Sequence, residues 1–107
     1  MQPRFGMALP STTLAPRAKA RPERPRLYKV ILLNDDFTPR EFVVKVLKSV
    51  FHMDRDAAWT VMLTAHQRGA CVVAVFTFEI AEEKARRAND MGSRAGHPLT
   101  FTTEREA

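Results

Sequence analysis

The residues best able to bind or transform a ligand are Asn34-Asp35-Asp36, a polar triplet between an apolar run and a helix-start signal. Two carboxylates and an amide carbonyl are acceptors, which suits a donor-only partner such as a cation or an amine. The same triplet also makes a good turn, because Asn and Asp side chains satisfy nearby backbone N–H groups. His66 lies one turn beyond Met62, on the helical stripe that includes Trp59 and Leu63, and its neutral imidazole would offer one more acceptor nitrogen. Spacing does not decide whether His66 meets the triplet; alone, it reads as a half-buried surface histidine.

Covalent and metal chemistry find less support. Cys71, the one cysteine, sits inside an apolar strand and reads as a small buried hydrophobe; no nucleophile elbow is present. A single cysteine forms no internal disulfide, which suits a reducing compartment. Asp35, Asp36 and His66 match no standard metal-ligand spacing, although a small metal-dependent hydrolase built on them stands as a rival class. The expectation is a binding protein with no catalytic residue, no metal and no cofactor.

The elements that must position these residues follow from periodicity. Leu27 to Leu33 is a short β-rich run and reads as a buried first strand. Thr38-Pro39-Arg40-Glu41 has the composition of a capping box, with Thr38 as cap and Glu41 three residues later. A helix should follow, burying Phe42, Val43, Val46, Leu47, Val50 and Phe51. Asp54 should cap a second helix that runs to Gly69, where glycine can take a left-handed conformation. Cys71 to Phe76 reads as a second strand, and Thr77 as the cap of a third helix with Ala81, Ala85, Ala88 and Met91 on its inner face. Gly96 and Pro98 should end it, and Leu99 to Thr103 alternates as an edge strand does. The expected fold class is α+β: one small domain, β-α-α-β-α-β, with a three-stranded antiparallel sheet packed on three helices.

The net charge of +5 suggests nucleic acid until it is divided along the chain. Residues 1–26 hold six basic groups against Glu23 alone, so the rest of the chain is balanced. They also hold five of the seven prolines and show no hydrophobic periodicity. The expectation is a flexible, basic, Pro-rich extension over 1–26 and a folded domain over 27–107. Prolines 10, 16 and 22 break the amphipathic helix a transit peptide needs. A neutral folded part lacks the basic face expected of a nucleic-acid binder, and no apolar run is long enough to span a bilayer.

The stretch Tyr28-Lys29-Val30-Ile31-Leu32-Leu33-Asn34-Asp35-Asp36-Phe37-Thr38-Pro39, with Glu41-Phe42-Val43, resembles the Clp protease adaptor family ClpS. Met62 to His66, Val75-Phe76-Thr77, Glu79 to Lys84 and His97-Pro98-Leu99 continue the likeness in order, over nearly all of residues 27–103. The resemblance implies a monomeric cytoplasmic adaptor that captures N-degrons, with Asn34, Asp35, Asp36 and His66 holding the substrate's α-amino group. Thr38, Val43, Met62, Ala65 and Leu99, with Leu32 behind them and Arg40 at the flank, would form a pocket for Leu, Phe, Tyr or Trp. Glu79 and Lys84 would dock on the N-terminal domain of a ClpA-type AAA+ unfoldase, and the extension would serve delivery. Arg40 stands where methionine is common in the family, and Phe37 where tyrosine is. The rival of another class is an interaction domain of similar fold in another assembly, such as the ribosome, without affinity for free N-termini.

Overall fold

The structure is a computed structural model and describes residues 24–107. Most of the extension expected over 1–26 therefore lies outside the described residues. Six elements follow in the expected order: β1 (Leu27–Leu33), α1 (Arg40–Phe51), α2 (Arg55–Arg68), β2 (Ala70–Thr77), α3 (Phe78–Arg94) and β3 (Thr100–Arg105). β1 is the central strand, antiparallel to β2 on one side and to β3 on the other.

Alternation along β1 decides which face of the sheet the helices cover. Val30 and Leu32 are buried, whereas Leu27 and Leu33 are exposed. The buried pair joins Val43, Val44, Val46, Leu47 and Val50 of α1, Ala58, Met62 and Ala65 of α2, and Phe101 of β3 in one core. α3 contributes only Ala81, Ala85, Ala88 and Gly92 to the buried set, with Met91 half-buried beside them. Small residues let its backbone come close to the sheet.

β2 departs from the simple reading of a uniformly apolar strand. Val30 pairs with Ala74 and Ile31 with Val72, so Val73 is an extra residue and forms a bulge. Inward orientation passes from Cys71 and Val73 to Ala74 and Phe76 across the bulge, leaving Val72 and Val75 exposed. Residues apolar on both faces carry no periodicity that could mark the change.

The helix ends divide into caps that form as expected and caps that do not. Asp54 accepts from the Ala57 N–H at 2.8 Å, and Gly69 closes α2 at φ 91°. The capping box at α1 is not formed. Pro39 is the cap residue, the Thr38 hydroxyl donates to Asp35 at 2.9 Å, and Glu41 pairs with Arg55 of α2. The ionised carboxylate of Asp35 lies within reach of the same hydroxyl and competes as a strong acceptor. Thr77 occupies the cap position of α3, but its hydroxyl makes no capping bond. α1 ends at His52, left-handed at φ 58°, a terminus the pattern does not mark.

Candidate functional site

The loop after β1 is built around Asp35. One of its carboxylate oxygens accepts from the N–H groups of Phe37 at 2.9 Å and Thr38 at 2.7 Å, and the other accepts from the Thr38 hydroxyl. These three bonds fold the chain into a tight turn around the half-buried Asp35, one of whose oxygens accepts only the Thr38 hydroxyl and has a further lone pair to offer. Asn34 and Asp36 are exposed, and their side chains bond to no other described residue.

A backbone bond brings the second half of the site to this loop. The N–H of Asn34 donates to the carbonyl of Gly69 at 2.9 Å, which ties the end of β1 to the end of α2. α2 thereby presents its last two turns, with Met62 and Ala65 buried and His66 exposed beside them, next to the acceptor loop. The meeting that spacing left open takes place.

The result is a cavity of about 290 Å³, lined by all of Leu32, Asn34, Asp35, Asp36, Thr38, Arg40, Val43, Met62, Ala65, His66 and Leu99. Its floor is made of buried residues, apolar but for Thr38: Leu32, Thr38, Val43, Met62, Ala65 and Leu99. Its rim is polar, with Asn34, Asp36, Arg40 and His66 exposed. Leu33, Phe37 and Pro39 complete the lining without having been expected there. Phe37 is 82% exposed. An aromatic left in water within a polar turn was the available signal, since a folded chain ordinarily buries such a ring.

Chemically, the cavity suits capture. Acceptors that bond to no other described residue rim a small chamber with a largely apolar floor, of a volume near the lower end for ligand sites, about 300 Å³. Neither a cysteine nor a second histidine lines it. The thiol of Cys71 lies elsewhere, and burial pushes its pKa up against a smaller opposing effect of the Arg68 cation. Among the described residues no group of three or more His, Cys, Asp or Glu side chains is placed to hold a metal ion. No described helix is long and apolar enough to cross a membrane.

The two residues expected to dock on an unfoldase lie outside the cavity. Glu79 is exposed in the first turn of α3, between the exposed side chains of Phe78 and Ile80. Lys84 is half-buried; its ammonium donates to the carbonyl of Val50 at 2.9 Å and stands 5.6 Å from the centre of the Phe76 ring. It closes the last turn of α1, where a cation is favoured by the helix dipole.

Comparison with known proteins gives this arrangement its relatives. The family described as ATP-dependent Clp protease adaptor protein ClpS matches residues 23–102. The ATP-dependent Clp protease adapter protein ClpS 2 of Mesorhizobium japonicum is 61% identical, over 92% of this chain and 99% of that protein. ClpS 1 of Rhodopseudomonas palustris is 64% identical, over 84% of this chain and 87% of that protein. Among solved structures, Agrobacterium tumefaciens ClpS2 bound to L-phenylalaninamide is similar with a TM-score of 0.77 and 60% identity, over 78% of this chain and all of that one.

Proposed function

The chain belongs to the ClpS family of ATP-dependent Clp protease adaptors, and from that premise we propose that its cavity captures the N-terminal residue of proteins bound for degradation. The observation that carries this reading is the joining of exposed acceptors and a largely apolar, buried floor in one cavity of about 290 Å³. L-phenylalaninamide, held by the similar Agrobacterium tumefaciens protein, has both halves of the matching chemistry: a free α-amino group and an apolar ring.

An α-ammonium group has three donors and no acceptor. Asn34, Asp35, Asp36 and His66 supply the acceptors for it, and Asp35 also holds the loop in shape. The first side chain enters between Val43, Met62, Ala65 and Leu99, where burial of a Leu or Phe side chain contributes about 1.5–3 kcal/mol. Leu, Phe, Tyr and Trp have the required apolar bulk. An acetylated N-terminus has lost its charge and most of its donors, so it leaves desolvated acceptors unpaired.

The adaptor acts in the cytoplasm as a monomer and performs no covalent chemistry. Hydrolysis of ATP belongs to its partner, a ClpA-type AAA+ unfoldase whose N-terminal domain docks near Glu79 and Lys84. Residues 1–26 serve the hand-over after docking.

Fluorescence anisotropy of labelled peptides that differ only at residue one, Phe or Ala, each with a free or acetylated amine, tests the reading. Tight binding of the free Phe peptide alone is the expected result. Equal or absent binding across all four would overturn it in favour of a protein-interaction domain with no N-terminal specificity.

A further inference from the structure

Behind the cavity, α3 and the segment leading into β3 meet at a residue that has no side chain. Gly92 is buried, and its carbonyl accepts from the N–H groups of Ala95 at 3.1 Å and His97 at 2.9 Å as the chain turns back over it. A Cβ at this position would stand 2.9 Å from the Cβ of Leu99 and 3.5 Å from the carbonyl oxygens of His97 and Leu99. Carbon atoms in favourable contact lie about 3.5–4.0 Å apart. Glycine is required here for close approach, because Leu99 occupies the space a side chain would take.

Leu99 is 4% exposed and forms part of the cavity wall. Its freedom to move is narrow. Two residues on, the amide of Asn89 grips both backbone groups of Phe101, accepting from its N–H at 2.7 Å and donating to its carbonyl at 3.0 Å. On the other side Pro98 restricts the backbone. A close-packed interior gives way poorly, which leaves the cavity as the open space into which Leu99 can be driven.

We propose that Gly92 is a specificity-determining positioning residue: by leaving room for Leu99 behind the cavity wall, it sets how large a first side chain the cavity admits. This rests on the reading of the cavity as the pocket for a substrate's first residue. Any side chain at 92 moves Leu99 inward and shortens the chamber, so Trp loses more affinity than Leu. A purely structural role would lower the folded fraction and weaken every peptide by the same factor.

The test measures free-amine peptides beginning with Trp and Leu against wild type, Gly92→Ala, Leu99→Ala and the double variant, with thermal melts reporting the folded fraction. In folded Gly92→Ala the Trp-to-Leu affinity ratio falls about tenfold, the scale of discrimination one methylene confers. In Leu99→Ala it rises. Should Gly92→Ala not fold, the comparison of Leu99→Ala with the double variant carries the same question, because alanine at 99 keeps the Cβ that a side chain at 92 pushes while shedding the bulk that resists its displacement, and the double variant must show the lower ratio. Wild-type binding beside an unchanged ratio in whichever pair folds overturns the role of Gly92 alone. Wild-type protein that binds neither peptide overturns the pocket reading itself.

Discussion

Asp35 and Asp36 are neighbours of one chemical type, and the loop gives them different tasks. Asp35 spends its carboxylate on two backbone N–H groups and the Thr38 hydroxyl, whereas Asp36 is exposed and bonds to no other described residue. In the proposed capture, Asp36→Ala and His66→Ala each remove an acceptor from a cation, worth about 1.5–3 kcal/mol. Both should weaken a free-amine Phe peptide roughly 10- to 150-fold and leave the melting temperature in place. Asp35→Ala should lose peptide affinity and melting temperature together, since it frees two N–H groups. A melting temperature unchanged in Asp35→Ala would show that the loop holds its shape without that carboxylate. Cys71 differs in kind. Burial raises its thiol pKa, so less thiolate is present near neutral pH than on an exposed cysteine. Because the folded pKa lies above the unfolded one, the thiol's contribution to stability is complete below the unfolded value and is lost as pH rises through the folded one. Alkylation by iodoacetamide at pH 8 should run more slowly on the native chain than on the urea-unfolded chain; equal rates would contradict the assignment.

Elements meet through a few bonds that local sequence does not announce. The ammonium of Lys84 closes the end of α1 at the Val50 carbonyl, while Glu79, five residues earlier on the same helix, is exposed. Lys84→Ala should therefore cost stability, about 0.3–1 kcal/mol for a cation at a helix C-terminus, as well as any unfoldase affinity. Glu79→Ala removes an exposed acid from the first turn of α3, a stability change at the low end of the same range, and should act mainly on the proposed docking. Melting curves beside titration with an unfoldase N-terminal domain separate the two, and an unshifted melt for Lys84→Ala would refute its bracing role. The same contrast explains what could be read in advance. Asp54 and Gly69 work within one turn of chain, so composition exposes them. The Thr38 box fails because a carboxylate three residues back captures the hydroxyl, a competition between two local motifs that spacing does not rank. The Val73 bulge was hidden because the strand is apolar on both faces. As for the site, its acceptor types were visible in Asn34, Asp36 and His66, but their meeting depends on one bond between Asn34 and Gly69, which no periodicity encodes.

At the scale of the whole molecule, the core is drawn from residues that repeat at helical or strand spacing and carry no charge. Leu47 is fully buried at its centre, and Leu47→Ala should cost about 2–5 kcal/mol, read as a lower urea midpoint with an unchanged slope. Charge is distributed otherwise. The whole excess of +5 falls within residues 1–26, leaving eleven basic and eleven acidic residues over 27–107. Among the described residues, the cavity lining begins at Leu32 and the buried core at Val30. If residues 1–23 carry neither core nor cavity, as their composition suggests, their removal should leave both the melting temperature and the affinity for a free-amine Phe peptide as they were. If those residues serve the hand-over, degradation of a Phe-initiated substrate by the unfoldase and its protease should fall sharply in the truncated protein, although the substrate is still captured and the adaptor still docks. Truncated protein that delivers at the full rate would move the hand-over to the folded domain. Loss of peptide affinity on truncation would instead make the extension part of the binding site.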